Sequence, residues 1–475
     1  MSSIRPLGKY ERFSLARAQT GVAPIVAFTA LLPPSVTVEA ATVLAAVQAL
    51  LGRYPLLRCV VAGRTTTKPH FAIKDGLTAA EILDERSQAT VEEALSAALE
   101  AGRVFDLDAG PLWKVWLSAA DGHGRSRLTL AVHHTIADGS GTRNLFAELL
   151  SLVRTPAAAE VPKEAASAAA SLEDTVDMRL SKFRLAKVVF SEIILPSLPT
   201  FLRPAPPLPV FLNHPATAPH LEPSALRLLS LAPSVVAGLK AAGKAHGVPT
   251  LHPLLYVAAL AALAASVPSP SVPLLRIVGS TPYSLRDPAV HPHCTGNYVC
   301  GHTCSDAVAS LLPTRFWAHC AAYAQTLSSP ATKAYAKEGM GMLSLIPDGE
   351  LPAAEGKPAR TKWEGWIEDK LAKREFGESF EVSNLGVLPA TGWELEEVHW
   401  TQTASAFVAA LQLNPVAVRG GNLTFTLSYR KNAVDEQVVD RFWATYEALL
   451  IELAAGGIDD EATFAELVQN RRQLT

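Results

Sequence analysis

The stretch Leu128–Gly141, LTLAVHHTIADGSG, decides how the rest of the chain is read. An apolar run leads directly into His133-His134. Asp138-Gly139 follows three residues later, and a Gly/Ser-rich turn then opens a helical pattern over Gly141–Val153. A strand running into a turn and a helix projects side chains into a cleft, the usual place for a site in an α/β protein. Neighbouring residues on a strand point to opposite faces, so His133 and His134 cannot share one task. One faces the cleft and the other packs. An imidazole is the natural general base near neutral pH. Asp138 is either a hydrogen-bond orienter or a structural anchor, and Gly139 lets the backbone turn or lets a substrate approach its amide. Chance would place His-His-x-x-x-Asp-Gly in about one chain in a thousand of this composition.

Working outward, both flanks alternate strands and helices. Upstream, Ile25–Leu32 reads as a strand and Glu39–Leu51 as a helix. Leu56–Ala62 and His70–Lys74 read as strands, and Val91–Arg103 as a helix. Leu112–Ala119 and Arg127–His133 read as two strands joined by a turn at Ala120–Gly124. Downstream, Thr155–Ala170 has the composition of a linker. Asp177–Ile194 reads as an amphipathic helix, and Pro196–Pro223 holds too many prolines for regular structure. This connector carries Val188-Val189-Phe190 and Ile193-Ile194-Leu195 close to Lys182, Arg184 and Lys187, a composition suited to touching a membrane surface. The second half repeats the theme. Strands are predicted at Leu226–Leu231, Leu274–Ser280, Phe380–Val382, Thr403–Val418 and Leu423–Ser428. Helices are predicted at Ser234–His246, Leu251–Val267, Leu311–Leu327, Asp435–Leu453 and Glu461–Asn470. The expected architecture is α/β, with an N-terminal subdomain over 1–175, a connector over 176–224 and a C-terminal subdomain over 225–475.

Composition excludes several classes. The 475 residues are 49% hydrophobic and 18% charged, which no disordered chain would show. The net charge of −3 and the lack of any Lys/Arg run argue against nucleic acid as a partner. Five cysteines in so long a chain do not make a disulfide scaffold. The N-terminus has no apolar core of a signal peptide, and Leu254–Val267 falls short of the roughly 20 residues a membrane span needs. A soluble, cytoplasmic protein without a transmembrane segment is expected.

Other clusters compete for a role. His291, His293, Cys294, Cys300, His302 and Cys304 are dense in metal-ligand types, but their spacing matches no paired zinc pattern, so no metal is expected. Trp363, Trp366, Trp393 and Trp400 are packing anchors or the wall of an acceptor pocket. Lys362, Lys370, Lys373 and Arg374 read as a solvated face that offers cations to a phosphate.

The segment His133–Gly139 resembles the HHxxxDG signature of the acyltransferase superfamily that includes chloramphenicol acetyltransferase, nonribosomal-peptide condensation domains, plant BAHD acyltransferases and fungal alcohol acetyltransferases. The opening Arg5-Pro6-Leu7-Gly8-Lys9-Tyr10-Glu11-Arg12 is similar to the start of the alcohol acetyltransferase branch. So are Ser284-Leu285-Arg286, Gly296-Asn297-Tyr298 and Ser383-Asn384-Leu385-Gly386 to its later motifs. The resemblance implies two chloramphenicol-acetyltransferase-like α/β sandwich subdomains, a pseudo-dimer around a central tunnel. It implies a monomer that binds no cofactor, taking acyl-CoA, acetyl-CoA first of all, as co-substrate and a small hydrophobic alcohol as acceptor. His134 would be the general base. Asp138 would complete the catalytic motif as the aspartate that pairs with Arg286, with His133 and Gly139 as further support. Ser383, Asn384 or the Gly139 amide would stabilise the oxyanion. The BAHD motif DFGWG is absent. The alternatives are a stand-alone condensation-type enzyme that uses a carrier-protein thioester or forms an amide, and a non-catalytic binding protein of the same fold.

Overall fold

A computed structural model describes residues 2–34, 38–87, 90–118, 124–156, 167–352 and 359–472. Of the predicted turn Ala120–Gly124 only Gly124 lies among them, and residues 157–166 of the predicted linker lie outside. The strands in chain order are β1 (Ser3–Pro6), β2 (Ile25–Leu31), β3 (Cys59–Ala62), β4 (His70–Ile73), β5 (Leu83–Glu85), β6 (Trp113–Ser118) and β7 (Arg127–His133). They continue as β8 (Ser224–Leu231), β9 (Arg276–Ser284), β10 (Val299–Ala307), β11 (Glu378–Val382), β12 (Val398–Gln402), β13 (Ala409–Ala417) and β14 (Leu423–Arg430).

Two larger sheets organise the molecule, in the orders β12-β2-β7-β6-β5 and β10-β9-β11-β13-β14-β8. A small sheet, β1-β4-β3, flanks the first. Strand β7 is central in its sheet and wholly buried, its polar Arg127, Thr129 and His133 included. The Ala/Leu-rich helix Leu251–Ser266 buries nearly every side chain and centres the core of the second half. That fits an apolar run too short for a membrane. Among the described residues no helix is long and apolar enough to cross a membrane.

The sheets do not divide at the connector. Strand β12 comes from the C-terminal half, yet it pairs antiparallel with β2, from Val398↔Ala30 to Gln402↔Val26. It carries Trp400 into the N-terminal core, where the indole stacks on Phe28 at 5.8 Å between ring centroids and donates to the Pro415 carbonyl at 3.1 Å. The predicted boundary at 225 therefore does not describe this strand. No strand is predicted from the sequence at Val398–Gln402, whose pairing partner β2 comes from the other half.

Four local expectations are corrected. Residues Pro55–Arg58 form a 3-10 turn, because Pro55 presets the first helical dihedral, and the strand starts only at Cys59. The predicted helix over Leu311–Leu327 splits into Val308–Leu311 and Phe316–Ser328, since Pro313 lacks the donor needed to continue it. The helix in the connector starts at Lys182, where the Ser181 hydroxyl caps the Arg184 amide. The predicted strand over Thr403–Val418 begins only at Ala409. The Ser405 hydroxyl accepts from the Val408 amide at 2.8 Å and turns the chain before it.

Candidate active site

Strand β7 ends at His133, and the chain then leaves the sheet by a tight turn closed by the Ile136 amide on the His133 carbonyl. The two histidines separate as the alternation requires. His133 is buried against Thr135, whose amide and hydroxyl both reach its Nδ1, at 3.1 and 2.7 Å. Burial pushes its pKa down to about 3, so the ring is neutral and packs. His134 lines a cavity of about 130 Å³ together with Tyr10, Gly139, Ser140, Glu381 and Ser383.

Asn297 fixes the state of His134. Its Nδ2 donates to the Thr135 carbonyl at 3.1 Å, so its Oδ1 is the atom facing His134 Nδ1 at 2.9 Å. An amide oxygen only accepts, which places the imidazole proton on Nδ1 and leaves the Nε2 lone pair to the cavity. Burial, followed by the charge of Arg17, lowers the His134 pKa. The Asp138 charge and the Asn297 bond oppose that shift only in part. Tyr10 lies against the same ring at 5.4 Å between centroids.

Asp138 does not touch His134. It caps the helix Gly139–Arg154, with Oδ1 accepting from the Gly141 amide at 2.6 Å and Oδ2 from the Tyr298 amide at 2.7 Å. Arg286 Nη2 reaches both carboxylate oxygens at 3.3 and 3.4 Å and the Gly296 carbonyl at 2.9 Å, while Nη1 donates to the His293 carbonyl at 2.5 Å. The pairing of Asp138 with Arg286 thus exists, but as a single-nitrogen contact rather than a two-pronged fork, because the other arm of the guanidinium holds backbone. The function of the knot is visible in the chain path. Residues 285–298 leave the β9–β10 hairpin and return, and Gly296 pairs with Ala137 in an isolated parallel bridge. That bridge delivers Asn297 to His134. Gly296 has φ +94°, a left-handed conformation that glycine tolerates.

Two glycines of the motif have different duties. A Cβ on Gly141 would lie 2.3 Å from the Cys294 carbonyl oxygen and 2.8 Å from Arg286 Nη2, so only glycine allows the knot to close. A Cβ on Gly139 would meet Leu385 at 3.3 Å and Trp400 at 3.8 Å, on the wall of the cavity. Gly139 and Ser140 open the helix, and amides of a first turn have no acceptor inside their own helix. Ser383 and Asn384 follow β11 and also line the cavity. The Asn384 side-chain oxygen is already taken by the Gly386 amide at 2.8 Å, which leaves its amino group.

Several lining residues carried no signal of their own in the sequence. Glu381 sits mid-strand in β11, its carboxyl held by Gln402 at 2.7 Å and Gln412 at 3.3 Å and pushed up by burial. A lone acid inside the apolar run Phe380–Val382 was the available clue. Of the four tryptophans, Trp400 lines the cavity. Trp363 contacts Arg12, Trp366 contacts Phe13, and Trp393 donates to the Leu150 carbonyl. A second cavity of about 630 Å³ adjoins the first through Tyr283 and Ser284, and Lys333 and Lys337 border it. None of Lys362, Lys370, Lys373 and Arg374 lines either cavity. Among the described residues no three His, Cys, Asp or Glu groups are placed to hold a metal ion, and His302 instead contacts Cys304 at 3.1 Å.

Residues 27–164, which include the histidine motif, match the sequence model of the Condensation domain. The TRI3 trichothecene 15-O-acetyltransferase from Fusarium sporotrichioides is similar at 12% identity and a TM-score of 0.65, covering 95% of this chain and 94% of that one. The chain has the condensation-domain fold. The condensation domain of the Monacolin K polyketide synthase MokA matches with a TM-score of 0.61 at 14% identity, over 98% and 100% of the two chains. Polyketide synthase associated protein 5 from Mycobacterium tuberculosis matches with a TM-score of 0.60 at 16% identity, over 96% and 98%. No curated protein matches the chain in sequence. The α/β class and the likeness to condensation-type acyltransferases anticipated from the His133–Gly139 motif agree with these findings.

Proposed function

We propose that the chain is an acyl-CoA-dependent O-acyltransferase, moving an acetyl group first of all to the hydroxyl of a hydrophobic alcohol such as a terpenoid or another secondary metabolite. It would act in the cytoplasm, as a monomer and with no bound cofactor. The observation that carries the reading is the His134–Asn297 contact, which favours a proton on Nδ1 and leaves Nε2 free to act as a base in the cavity that His134 lines.

In the proposed reaction Nε2 takes the acceptor hydroxyl proton as that oxygen attacks the thioester carbonyl. The tetrahedral oxyanion forms against the Gly139 and Ser140 amides that open the helix Gly139–Arg154, with Ser383 and the Asn384 amino group as further donors. Its collapse releases CoA thiolate, which the imidazolium reprotonates, and leaves the ester. Asp138 and Arg286 hold the bend that carries both sides of the site, and His133 packs beneath it. Lys333 and Lys337, one helical turn apart beside the larger cavity, suit the phosphates of free CoA. The similar fold of a 15-O-acetyltransferase supports a hydroxyl acceptor.

The match to the Condensation domain favours one further reading, an acyl group delivered as a carrier-protein thioester or passed to an amine. A screen of acyl-CoA and acyl-carrier donors against alcohols and amines, read by mass spectrometry, separates the two. Ester formation from free acetyl-CoA that is lost in His134→Ala is the expected result. Transfer only from the carrier, or only to amines, overturns the proposal. Turnover that persists in His134→Ala overturns the base, and stoichiometric binding without turnover would mark a binding protein.

A further inference from the structure

The connector carries an uncovered apolar surface that the acyl-transfer chemistry does not use. Half of the large apolar side chains that stand exposed among the described residues fall between 183 and 208: Phe183, Leu185, Val189, Phe190, Ile194, Phe201, Leu202 and Leu208. Phe183 and Phe201 are each 82% exposed. The helix Lys182–Val189 and the turn Thr200–Leu202 bury no residue at all. An ordinary surface helix hides its apolar stripe and shows its polar one. Here the anchorage to the body is polar. The Arg184 guanidinium lies over the Tyr335 ring at 3.6 Å and donates to the Tyr335 carbonyl at 2.8 Å, and the Ser181 hydroxyl bonds to Glu338 at 3.1 Å.

Charge identifies what covers this surface. The segment 182–208 holds Lys182, Arg184, Lys187 and Arg203 against the single acid Glu192, in a chain whose net charge is −3. Exposed aromatic and aliphatic side chains interleaved with lysine and arginine match the headgroup boundary of an anionic bilayer. A protein partner would need no such local excess of positive charge. We infer that residues 182–208 dock on an anionic lipid surface, with Phe183, Phe190 and Phe201 inserting and Lys182 and Lys187 meeting the headgroups. Tyr335 and Glu338 belong to the helix Pro330–Gly341, which also carries Lys333 and Lys337 beside the larger cavity. Docking there would set that cavity next to the lipid phase, where a lipophilic substrate is concentrated.

Flotation of the full chain with vesicles tests this without relying on catalysis. Vesicles of phosphatidylcholine with about 30 mol% phosphatidylserine should carry the protein, and phosphatidylcholine alone should carry far less. Binding should weaken in about 0.5 M salt. Each basic residue lost should cost about fivefold in partitioning, so Lys182→Gln/Lys187→Gln should bind at least about tenfold more weakly. Phe183→Ser/Phe190→Ser/Phe201→Ser should abolish flotation with circular dichroism and melting temperature unchanged, since these side chains are exposed. No flotation with anionic vesicles at low salt, or equal flotation of the triple variant, overturns the inference. A dimer dissolved by the triple variant, without vesicle binding, assigns the surface to a second copy of the chain and overturns it as well.

Discussion

His134 Nδ1 lies 2.9 Å from Asn297 Oδ1, although the two residues are 163 positions apart in the chain. This contact sets which nitrogen of the imidazole is basic, and it exists only because Asp138 and Arg286 fold the loop 285–298 onto the histidine motif.

Asn297→Ala should therefore lower kcat without unfolding the protein. Loss of the tautomer lock is expected to cost about 10–100-fold, less than the loss of the base itself in His134→Ala, about 100–10,000-fold. Single-turnover thiol release from the active acyl-CoA measures both. Equal effects in the two variants would show that Asn297 does more than orient the ring.

The pH profile follows from the direction of the His134 shift. Burial and Arg17 lower its folded pKa, so the neutral, basic form persists to more acid pH than in a free histidine at 6.5. The acid limb of kcat/KM should bend below that value. Arg17→Gln removes the nearby positive charge and should move the limb upward. An acid limb at or above pH 6.5 in the unaltered protein contradicts the placement.

Arg286→Ala leaves the Asp138 carboxylate buried without its cation, and the side chains are 8% and 3% exposed. Breaking such a pair costs about 3–5 kcal/mol, and here the carbonyls of His293, Thr295 and Gly296 each lose one hydrogen bond as well. Denaturant unfolding should show that loss. Arg286→Lys should recover little of it, because one ammonium cannot span the same set of acceptors.

The paired glycines give opposite outcomes. Gly141→Ala drives a methyl into the Cys294 carbonyl and the Arg286 guanidinium and should lower the melting temperature by several degrees. Gly139→Ala meets only flexible Leu385 and the edge of Trp400, so it should keep the melting temperature and raise KM for the acceptor. Thermal scans and steady-state kinetics of the two variants distinguish knot from wall.

What was legible depended on the range of the contacts. The helix Val91–Arg103 and the strand Arg127–His133 were readable to the residue, because local periodicity and a capping Thr90 define the one and a mainly apolar, β-favouring run the other. The histidine motif was readable because its residues are adjacent. Glu381, Tyr10 and the role of Asn297 were not, since local sequence does not place the first two at the cavity or the third against His134. Strand β12 was missed for the same reason. Five residues with one tryptophan become a strand only when β2 offers its free edge.

By itself the sequence determined the alternation of strands and helices, the motif His133–Gly139 and the split between a packed and a cavity-facing histidine. These rest on backbone periodicity and short-range sterics, which act within a few residues. The tertiary structure decided the rest: the exchange of β12 between halves, the tautomer of His134, the hold of Asp138 on Arg286 and the Tyr298 amide, and the uncovered face of the connector. Each of those is a contact, or the lack of one, between segments far apart in the chain. No local preference encodes it, and only the packed fold brings the groups within reach.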